Sequence, residues 1–421
     1  MAINRRDFLK VSAGAVGAAS LSSLSNFAIA GANPKVVIVG GGFGGATCAR
    51  YLKLWDPKIE VTVIEMNDKF VSCPFSNTVL GGINKLEDLT FSYNGLKKAG
   101  VKVVKDEVVG FDTAARVVKC KSGKTFSYDR LVLSGGIELR FDLIEGYDAK
   151  AQKTVMHAWK AGPQTATLRK QLEAMPDGGV YVLSIPGMPY RCPPGPYERV
   201  SMVANYFKTK KPKSKVIVLD SNADIVSKKG LFLTAWKKHY EGMIDYRPNS
   251  KPVRIDAAKK TVVLDVDDVK ADVLNVVPPM RAHGITAIAG VRDDKDNWCS
   301  VDFRTLESKV APNVHIIGDS ISAPTPKSGS MANNYGKVCA AAIVELLNGR
   351  EAEKVPVITN TCFSATSSNS AIHVAAVWRL NAEGKWETPK GATGVSKEES
   401  ELEWHYMESW AKNIWADTLA L

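Results

Sequence analysis

The chain has 421 residues, of which 45% are hydrophobic and 24% are charged, and its formal net charge is +11 at pH 7. A chain of this length exceeds one ordinary hydrophobic core, so two or three domains are expected. The composition excludes an intrinsically disordered chain, and the positive balance favours an acidic partner or surface.

Residues 1–30 have the composition of an export signal. Arg5 and Arg6 lie side by side in NRRDFLK, and an apolar run rich in Ala, Gly and Ser follows and ends in AIA at Ala30. This order is typical of a twin-arginine signal peptide. The alternative is a membrane anchor, although the run has few large apolar side chains. We expect a mature chain that begins near Gly31 and resides in a bacterial periplasm.

A dinucleotide-binding motif follows. The β-branched residues 36–39 lead into Gly40, Gly42 and Gly45, spaced as GxGxxG, and then into a helical pattern. These glycines permit a tight turn, admit a pyrophosphate and let the helix pack on the strand, and the helix N-terminus faces the phosphates. The next predicted strand ends at Glu65, where a carboxylate binds a ribose 2′-hydroxyl and disfavours NADP. The alternative is a glycine-rich turn without a ligand.

Two later segments distinguish FAD from NAD. Residues 128–136, YDRLVLSGG, and residues 314–320, VHIIGDS, are predicted strands that end in small residues and in Gly-Asp, respectively. A helix is predicted to begin near Ser328, with its N-terminus free to face a flavin oxygen. Together these segments resemble the two-dinucleotide-binding flavoproteins of the glutathione-reductase type. The resemblance implies an α/β fold with two Rossmann-like domains, FAD as cofactor and Asp319 as the ribityl ligand.

The second nucleotide-binding domain of that family is predicted at residues 156–289, without its glycine motif. Strands are predicted at residues 180–183 and 215–220, but Pro186 and Pro189 stand where GxGxxG would follow the first of them. These prolines would block the turn into a helix, and side chains would exclude a pyrophosphate. We therefore expect a Rossmann architecture that has lost NAD(P)H binding. Nucleic acid is not an expected partner outside the cytoplasm.

Seven cysteines are present, and an odd number in an oxidising compartment leaves at least one unpaired or otherwise committed. Neither CxxC nor CxxCH occurs, which excludes zinc ribbons, thioredoxin-type motifs and an attached c-type haem. Cys73 precedes a proline. Cys192 lies in the proline-rich stretch PYRCPPGPYE, which is predicted to be a stiff loop. Cys362 lies in TNTCFS, which is interpreted as a polar loop. Cys48, Cys120 and Cys339 are predicted to be structural. Cys299 is also predicted to be structural, with a functional role as the alternative.

Five segments in this order resemble the flavoprotein subunit of flavocytochrome c sulfide dehydrogenase: GGGFGGATCARYLKLWDPKIEVTVIE, SCPFSNTVLGG, YRCPPGPYERV, GDSISAPTPKSG and TNTCFS. The likeness extends over essentially the whole predicted mature chain. It implies that Cys73 is bonded through sulfur to the 8α-methyl carbon of FAD. It further implies that Cys192 and Cys362 form a redox-active disulfide over the isoalloxazine, and that Glu198 accepts a proton.

Chemical reasoning agrees with these roles. Hydrosulfide is a soft nucleophile that opens a disulfide to a persulfide and a thiolate, and a thiolate against FAD can pass two electrons to it. Arg191 is expected to stabilise a thiolate on the neighbouring Cys192, and Glu198 is within reach if the loop folds back. The alternatives are a purely structural disulfide and, at Cys73, an unmodified loop cysteine.

The electrons need an acceptor outside this chain, since it has neither a haem motif nor an intact NAD site. The resemblance implies a separate c-type cytochrome subunit that carries haem, with hydrogen sulfide as the substrate. The rival interpretation is a membrane-bound sulfide:quinone oxidoreductase, which needs an apolar helix that reaches quinone. A third is a non-catalytic redox carrier or assembly factor that retains FAD.

The C-terminal segment, residues 398–421, is the candidate for such a helix. It carries an apolar stripe at Leu402, Tyr406, Trp410 and Ile414, while its other face is acidic. Because an acidic face suits anionic lipid badly, we predict a helix packed on the protein's own core, with Trp410 near the active site. Membrane contact is the alternative.

The predicted domains follow from these segments. Residues 31–155 and 290–350 are predicted to form the FAD domain around the degenerate second Rossmann domain. Residues 351–421 are predicted to form a C-terminal α+β domain, of the interface type, that delivers Cys362 to the flavin.

Overall fold

The computed structural model describes residues 33–293 and 295–421, so the predicted export signal lies outside the described residues. The helices of the described part are α1 (Phe43–Trp55), α2 (Ser76–Leu80), α3 (Asn94–Lys98), α4 (Pro163–Ala174), α5 (Gly195–Lys210), α6 (Lys229–Tyr240), α7 (Gly284–Ile288), α8 (Gly329–Leu347) and α9 (Glu401–Leu419). The strands are β1 (Lys35–Val39), β2 (Glu60–Glu65), β3 (Phe70–Val71), β4 (Thr90–Phe91), β5 (Lys102–Lys105), β6 (Val108–Asp112), β7 (Val117–Cys120), β8 (Thr125–Ser127), β9 (Arg130–Leu133), β10 (Ile137–Leu139), β11 (Val180–Ile185), β12 (Lys215–Asp220), β13 (Ile244–Arg247), β14 (Arg254–Asp256), β15 (Thr261–Val263), β16 (Asp268–Lys270), β17 (Val273–Val276), β18 (Met280–Ala282), β19 (Val314–Ile316), β20 (Val357–Ala365), β21 (Ala371–Leu380), β22 (Trp386–Glu387) and β23 (Thr393–Val395).

A five-stranded parallel sheet, in the order β19–β9–β1–β2–β5, carries the glycine motif. Its central strands are continuous runs of Val, Ile and Leu that are almost fully buried, as in parallel sheets covered by helices on both faces. Two helices lie close together beside this sheet. A Cβ added at Gly336 of α8 would lie only 2.6 Å from the carbonyl oxygen of Gly44 in α1. Residues far apart in sequence, in α1 and α8, therefore form one FAD-domain core.

A second parallel sheet has the order β13–β12–β11–β17. The predicted α/β class with two Rossmann-like units is therefore confirmed. The proline-rich stretch is shorter than predicted, because α5 already begins at Gly195 and Glu198 lies in its first turn. Pro196 is tolerated there since the first N–H groups of a helix have no partner within the helix. The domain boundaries stay predictions, because residues 34–421 form one compact unit.

The C-terminal part is an antiparallel hairpin of β20 and β21, extended by β22 and β23 and followed by α9. The interpretation of TNTCFS as a loop was wrong, because Cys362 lies within β20 and opposite Val374 of β21. The polar side chains that suggested a loop bind neighbouring elements instead. Asn360 Oδ1 accepts from Ser328 Oγ at 2.7 Å, and Thr359 Oγ1 donates to Asn334 Oδ1 of α8 at 3.4 Å.

The buried face of α9 also differs from the predicted stripe. Leu402 and Tyr406 are 57% and 50% exposed, whereas Trp404 and Met407 are buried. The reason is that α9 packs on the hairpin and on the loop that contains Cys73, where Trp415 Nε1 donates to Ser72 Oγ at 2.8 Å. No helix within residues 33–293 or 295–421 combines the length and apolar character that a transmembrane span requires.

The end of α9 is attached to the FAD domain through Asp417, which provides a test of this packing. Its carboxylate accepts from Tyr51 Oη at 2.7 Å, Asn333 Nδ2 at 2.9 Å and Lys337 Nζ at 2.7 Å. We expect Asp417→Ala to lower the free energy of unfolding by about 1–3 kcal/mol, because partly buried donors lose their acceptor. Urea unfolding measures this change. Lys412→Ala, at an exposed position of the same helix, is the control, and an equal effect of both variants would contradict the prediction.

Candidate active site

The turn between β1 and α1 has the shape of a phosphate cradle. Gly40 has a φ of +101°, a conformation that side-chain-bearing residues rarely adopt. A Cβ at Gly45 would lie 2.0 Å from the Gly40 carbonyl oxygen, whereas a Cβ at Gly42 would meet no atom within 4 Å. The open space at Gly42, facing the N-terminus of α1, fits a pyrophosphate.

Glu65 lies at the end of β2, beside this turn. Its carboxylate accepts from the Gly41 N–H at 2.8 Å and from the Asn67 N–H at 2.9 Å. These two bonds fix the side chain against the glycine turn and leave acceptor capacity on both oxygens. The position suits a ribose hydroxyl, and that role stays a prediction.

Asp319 follows β19 and is buried, and its Oδ1 has no hydrogen-bond partner among the described residues. Burial raises the pKa of its carboxyl, while the nearby Arg191 and Lys327 cations oppose the shift. A buried oxygen without a partner is unfavourable and matches a ligand hydroxyl. Close by, α8 begins as predicted, with Ser328 Oγ accepting from the Met331 N–H at 3.1 Å. These features fit the ribityl chain and ring of a flavin.

An open cavity of about 780 Å³ adjoins the N-terminus of α8 and contains three of the seven cysteines in its wall. Cys73 comes from the loop before α2, Cys192 from the loop before α5, and Cys362 from β20. The apolar side chains of Phe363 and Trp410 form another part of the wall. The structure thus brings together the three cysteines that the sequence singled out. The remaining four lie outside this wall: Cys48, Cys120, Cys299 and Cys339.

Cys192 is held firmly by its backbone. Its φ is +62°, in the left-handed region, and its N–H donates to the Lys327 carbonyl at 2.7 Å, which joins this loop to the segment before α8. Burial is the largest cause of the raised pKa of its thiol, and the negative charges of Cys362 and Glu198 raise it further. Arg191 acts in the opposite direction and favours a thiolate, as expected, although burial and the two nearby anions outweigh it.

Cys362 has more polar surroundings. Asn360 Nδ2 donates to its Sγ at 3.4 Å. Burial raises the pKa of the Cys362 thiol, but Lys228, Asn360 and Ser328 all act in the opposite direction. Both thiols are free in the structure, so the disulfide between Cys192 and Cys362 stays a prediction.

Glu198 reaches the cavity from the first turn of α5, so the loop does not need to fold back. Its carboxylate accepts from Asn77 Nδ2 at 2.7 Å and from the Ala365 N–H at 2.9 Å. Burial raises the pKa of this carboxyl, although both hydrogen bonds and the Lys228 charge oppose it. A carboxylate with a raised pKa is a better proton acceptor near neutral pH.

Three polar residues at the site were not recognised in the sequence. Lys228 Nζ donates to the Cys362 carbonyl at 2.9 Å, and Asn77 orients Glu198. Arg199 is buried and donates to Asn77 Oδ1 at 3.0 Å and to two backbone carbonyls, those of residues 157 and 158. Asn77 and Arg199 lie in segments that carry the family resemblance, but nothing there marked them as site residues, and all three residues meet their partners only through contacts between distant segments.

Family comparisons agree with this geometry. Residues 165–278 match the family model described as sulfide dehydrogenase [flavocytochrome c] flavoprotein chain, central. Residues 354–419 match the model described as flavocytochrome c sulphide dehydrogenase, flavin-binding, and residues 34–170 match pyridine nucleotide-disulphide oxidoreductase. Together with the cradle and the buried Asp319 carboxylate, the flavin-binding match identifies FAD as the cofactor.

Individual relatives are of two kinds. The chain is 60% identical over 45 residues to the sulfide dehydrogenase [flavocytochrome c] flavoprotein chain of Chlorobaculum thiosulfatiphilum, a match that covers 11% of this chain and 94% of that one. It is 26% identical over 327 residues to the mitochondrial sulfide:quinone oxidoreductase of Dictyostelium discoideum, covering 74% and 70%. The solved sulfide:quinone oxidoreductase of Aquifex aeolicus has the same fold, with a TM-score of 0.74, 20% identity and 91% of each chain covered.

The unpartnered Asp319 oxygen provides a test of the flavin site. In a Cys73→Ala background, in which no bond to that sulfur can retain the flavin, we expect Asp319→Ala to reduce the molar ratio of FAD to purified protein, because a hydrogen bond to a charged acceptor contributes about 1.5–3 kcal/mol. The ratio of flavin to protein absorbance measures it. Asp265→Ala, at an exposed position outside the site, is the control. Full FAD content in Asp319→Ala would contradict the assignment.

Proposed function

The chain belongs to the family of flavocytochrome c sulfide dehydrogenase flavoproteins, and on that premise we propose that it oxidises hydrogen sulfide to elemental sulfur or polysulfide. The oxidant within the chain is a disulfide between Cys192 and Cys362, and the electrons leave to a c-type cytochrome subunit. The export signal directs the protein to the periplasm. The observation that supports this proposal best is the cavity that contains both cysteines and the partly buried carboxylate of Glu198.

The residues of the cavity can divide the reaction between them. Hydrosulfide attacks one sulfur of the disulfide, the sulfur–sulfur bond breaks, and the electron pair of that bond remains on the other cysteine as a thiolate. Glu198 takes up the proton of hydrosulfide. FAD, when bound, supplies a two-electron acceptor. Phe363 and Trp410 give the cavity an apolar wall that suits a growing, weakly hydrated sulfur chain.

Cys73 lies in the same cavity wall, and we assign to it the covalent attachment of FAD. Its loop is held on both sides. Trp415 Nε1 donates to Ser72 Oγ, Ser72 Oγ donates to the Pro74 carbonyl at 2.9 Å, and Phe75 has a φ of +72°. Such a loop keeps the sulfur at a constant position, as a bond to a ring methyl carbon requires. Covalent attachment would retain FAD in the periplasm, where lost cofactor cannot be replaced.

A second candidate function is sulfide oxidation with a quinone as acceptor. The likeness to sulfide:quinone oxidoreductases, at 26% identity over 74% of the chain, favours it. The cysteine chemistry would be the same, and only the electron acceptor would differ.

The disulfide mechanism predicts the behaviour of two serine variants. Cys192→Ser and Cys362→Ser should each abolish sulfide oxidation, since either leaves no disulfide to open, and both should retain FAD. Sulfide-dependent bleaching of the flavin absorbance under anaerobic conditions measures this. Cys120→Ser, with the substituted residue in β7 outside the cavity, is the control. Full bleaching rates in either cavity variant would contradict the mechanism.

Attachment through Cys73 has its own test. On acid precipitation of the wild-type protein the flavin should stay with the pellet, and in Cys73→Ala it should appear in the supernatant. Absorbance of both fractions near 450 nm, where flavins absorb, gives the result. Free flavin released from the wild-type protein would show that the attachment does not exist.

The electron acceptor is tested directly by comparing two oxidants. The protein, reduced anaerobically by sulfide, should be reoxidised rapidly by a c-type cytochrome and slowly by a short-chain quinone. Stopped-flow recovery of the flavin absorbance separates the two rates. Faster recovery with quinone would establish the second candidate, and absence of reduction by sulfide would exclude both.

A further inference from the structure

Lys228 is a buried lysine beneath the cysteine pair. It lies immediately before α6 and is only 8% exposed. Its Nζ donates to the Cys362 carbonyl and to Ser364 Oγ, both at 2.9 Å, so the ammonium is attached to the strand that bears Cys362. The adjacent Lys229 is exposed and pairs with Asp224.

Two unfavourable features show that this ammonium is not an incidental cation. Lys228 has a φ of +55°, in the left-handed region that Gly or Asn would occupy with less strain. Burying an ammonium also removes it from water, which is costly unless anions or hydrogen bonds compensate. Backbone strain of this kind is concentrated at functional sites. The feature that Lys228 contributes and Gly or Asn would lack is a positive charge.

Four ionisable groups face this charge: Cys362, Cys192, Glu198 and Glu403. Burial lowers the pKa of Lys228 to about 8, so the ammonium form predominates at neutral pH. Lys228 is the strongest influence that favours a thiolate on Cys362, and Asn360 and Ser328 add to it.

Cys192 lacks a comparable set of donors. A Cβ at Gly195 would lie 2.8 Å from Cys192 Sγ and 3.1 Å from the Trp159 ring, so this sulfur lies against Gly195 and near an apolar ring. Burial and the two nearby anions raise the pKa of its thiol. Arg191 and Lys228 lower it, but by less. The two cysteines of the pair are therefore electrostatically unequal.

We propose that Lys228 is a positioning residue that makes Cys362 the leaving thiolate when hydrosulfide opens the disulfide. This inference rests on the proposed sulfide oxidation. Hydrosulfide then attacks Sγ of Cys192, a new sulfur–sulfur bond forms there, and the old bond to Cys362 breaks. The electron pair stays on Cys362 Sγ beside the Lys228 charge, and the proton of hydrosulfide passes to Glu198. The direction follows because a thiol of lower pKa is the better leaving group in disulfide exchange.

The first test measures the reactivity of each cysteine in the reduced protein. Iodoacetamide reacts with thiolates, and peptide mass spectrometry quantifies alkylation of Cys192 and Cys362 separately between pH 6 and 10. In the wild type, Cys362 should react faster at neutral pH. Lys228→Met should slow the alkylation of Cys362 by about tenfold, which is the effect of one unit in pKa. It should slow the alkylation of Cys192 less. Lys228→Arg should restore the rate, and Lys229→Met is the matched control.

An unchanged pH profile of Cys362 alkylation in Lys228→Met would overturn the proposal, as would equal slowing of the alkylation of both cysteines.

The second test needs no variant and so does not depend on the folding of Lys228→Met. One equivalent of sulfide is added anaerobically to the wild-type protein, thiols and persulfides are alkylated, and the peptides are mapped. A persulfide on the Cys192 peptide supports the proposal. A persulfide on Cys362 overturns it but leaves sulfide oxidation intact, whereas no persulfide on either contradicts the proposed function too.

Discussion

The partly buried carboxylate of Glu198 is the contact on which the geometry of the cavity depends. It accepts from Asn77 Nδ2, which belongs to the helix after Cys73, and from the Ala365 N–H, three residues beyond Cys362 in β20. Glu198 itself lies in the helix that follows the Cys192 loop. Such donors stabilise a carboxylate that is partly removed from water. One side chain therefore joins the three segments that carry the three cysteines, so any reorientation of Glu198 would disturb all of them.

Backbone strain also occurs in the wall of the cavity and beside it. Phe75, Cys192 and Lys228 are all non-glycine residues with φ between +55° and +72°, each at a cost of about 1–3 kcal/mol. Each is followed directly or within three residues by a helix, so the strained residue turns the chain from a loop into that helix. The strain is sustained because the surrounding core is rigid. This arrangement suits a reaction in which a sulfur–sulfur bond must open and close again without the two sulfurs separating.

The parts of the fold that sequence reasoning predicted are those determined by neighbouring residues. The glycine turn at Gly40, the strand ending at Glu65 and the helix cap at Ser328 each follow from a few consecutive side chains. Contacts between distant segments determined the rest. The pairing of β20 with β21 outweighed the loop-like composition around Cys362, and the docking of α9 on two other elements rotated its buried face away from Tyr406. The roles of Lys228, Asn77 and Arg199 were not recognised, because their partners lie far away along the chain.

The central claim is that Cys192 and Cys362 are two halves of one redox-active bond. The most direct measurement is peptide mapping of the protein as isolated, alkylated and digested without reductant. The account predicts that the peptides containing Cys192 and Cys362 are recovered as one disulfide-linked species, which separates after anaerobic treatment with sulfide. Recovery of both peptides as alkylated free thiols before sulfide is added would contradict it.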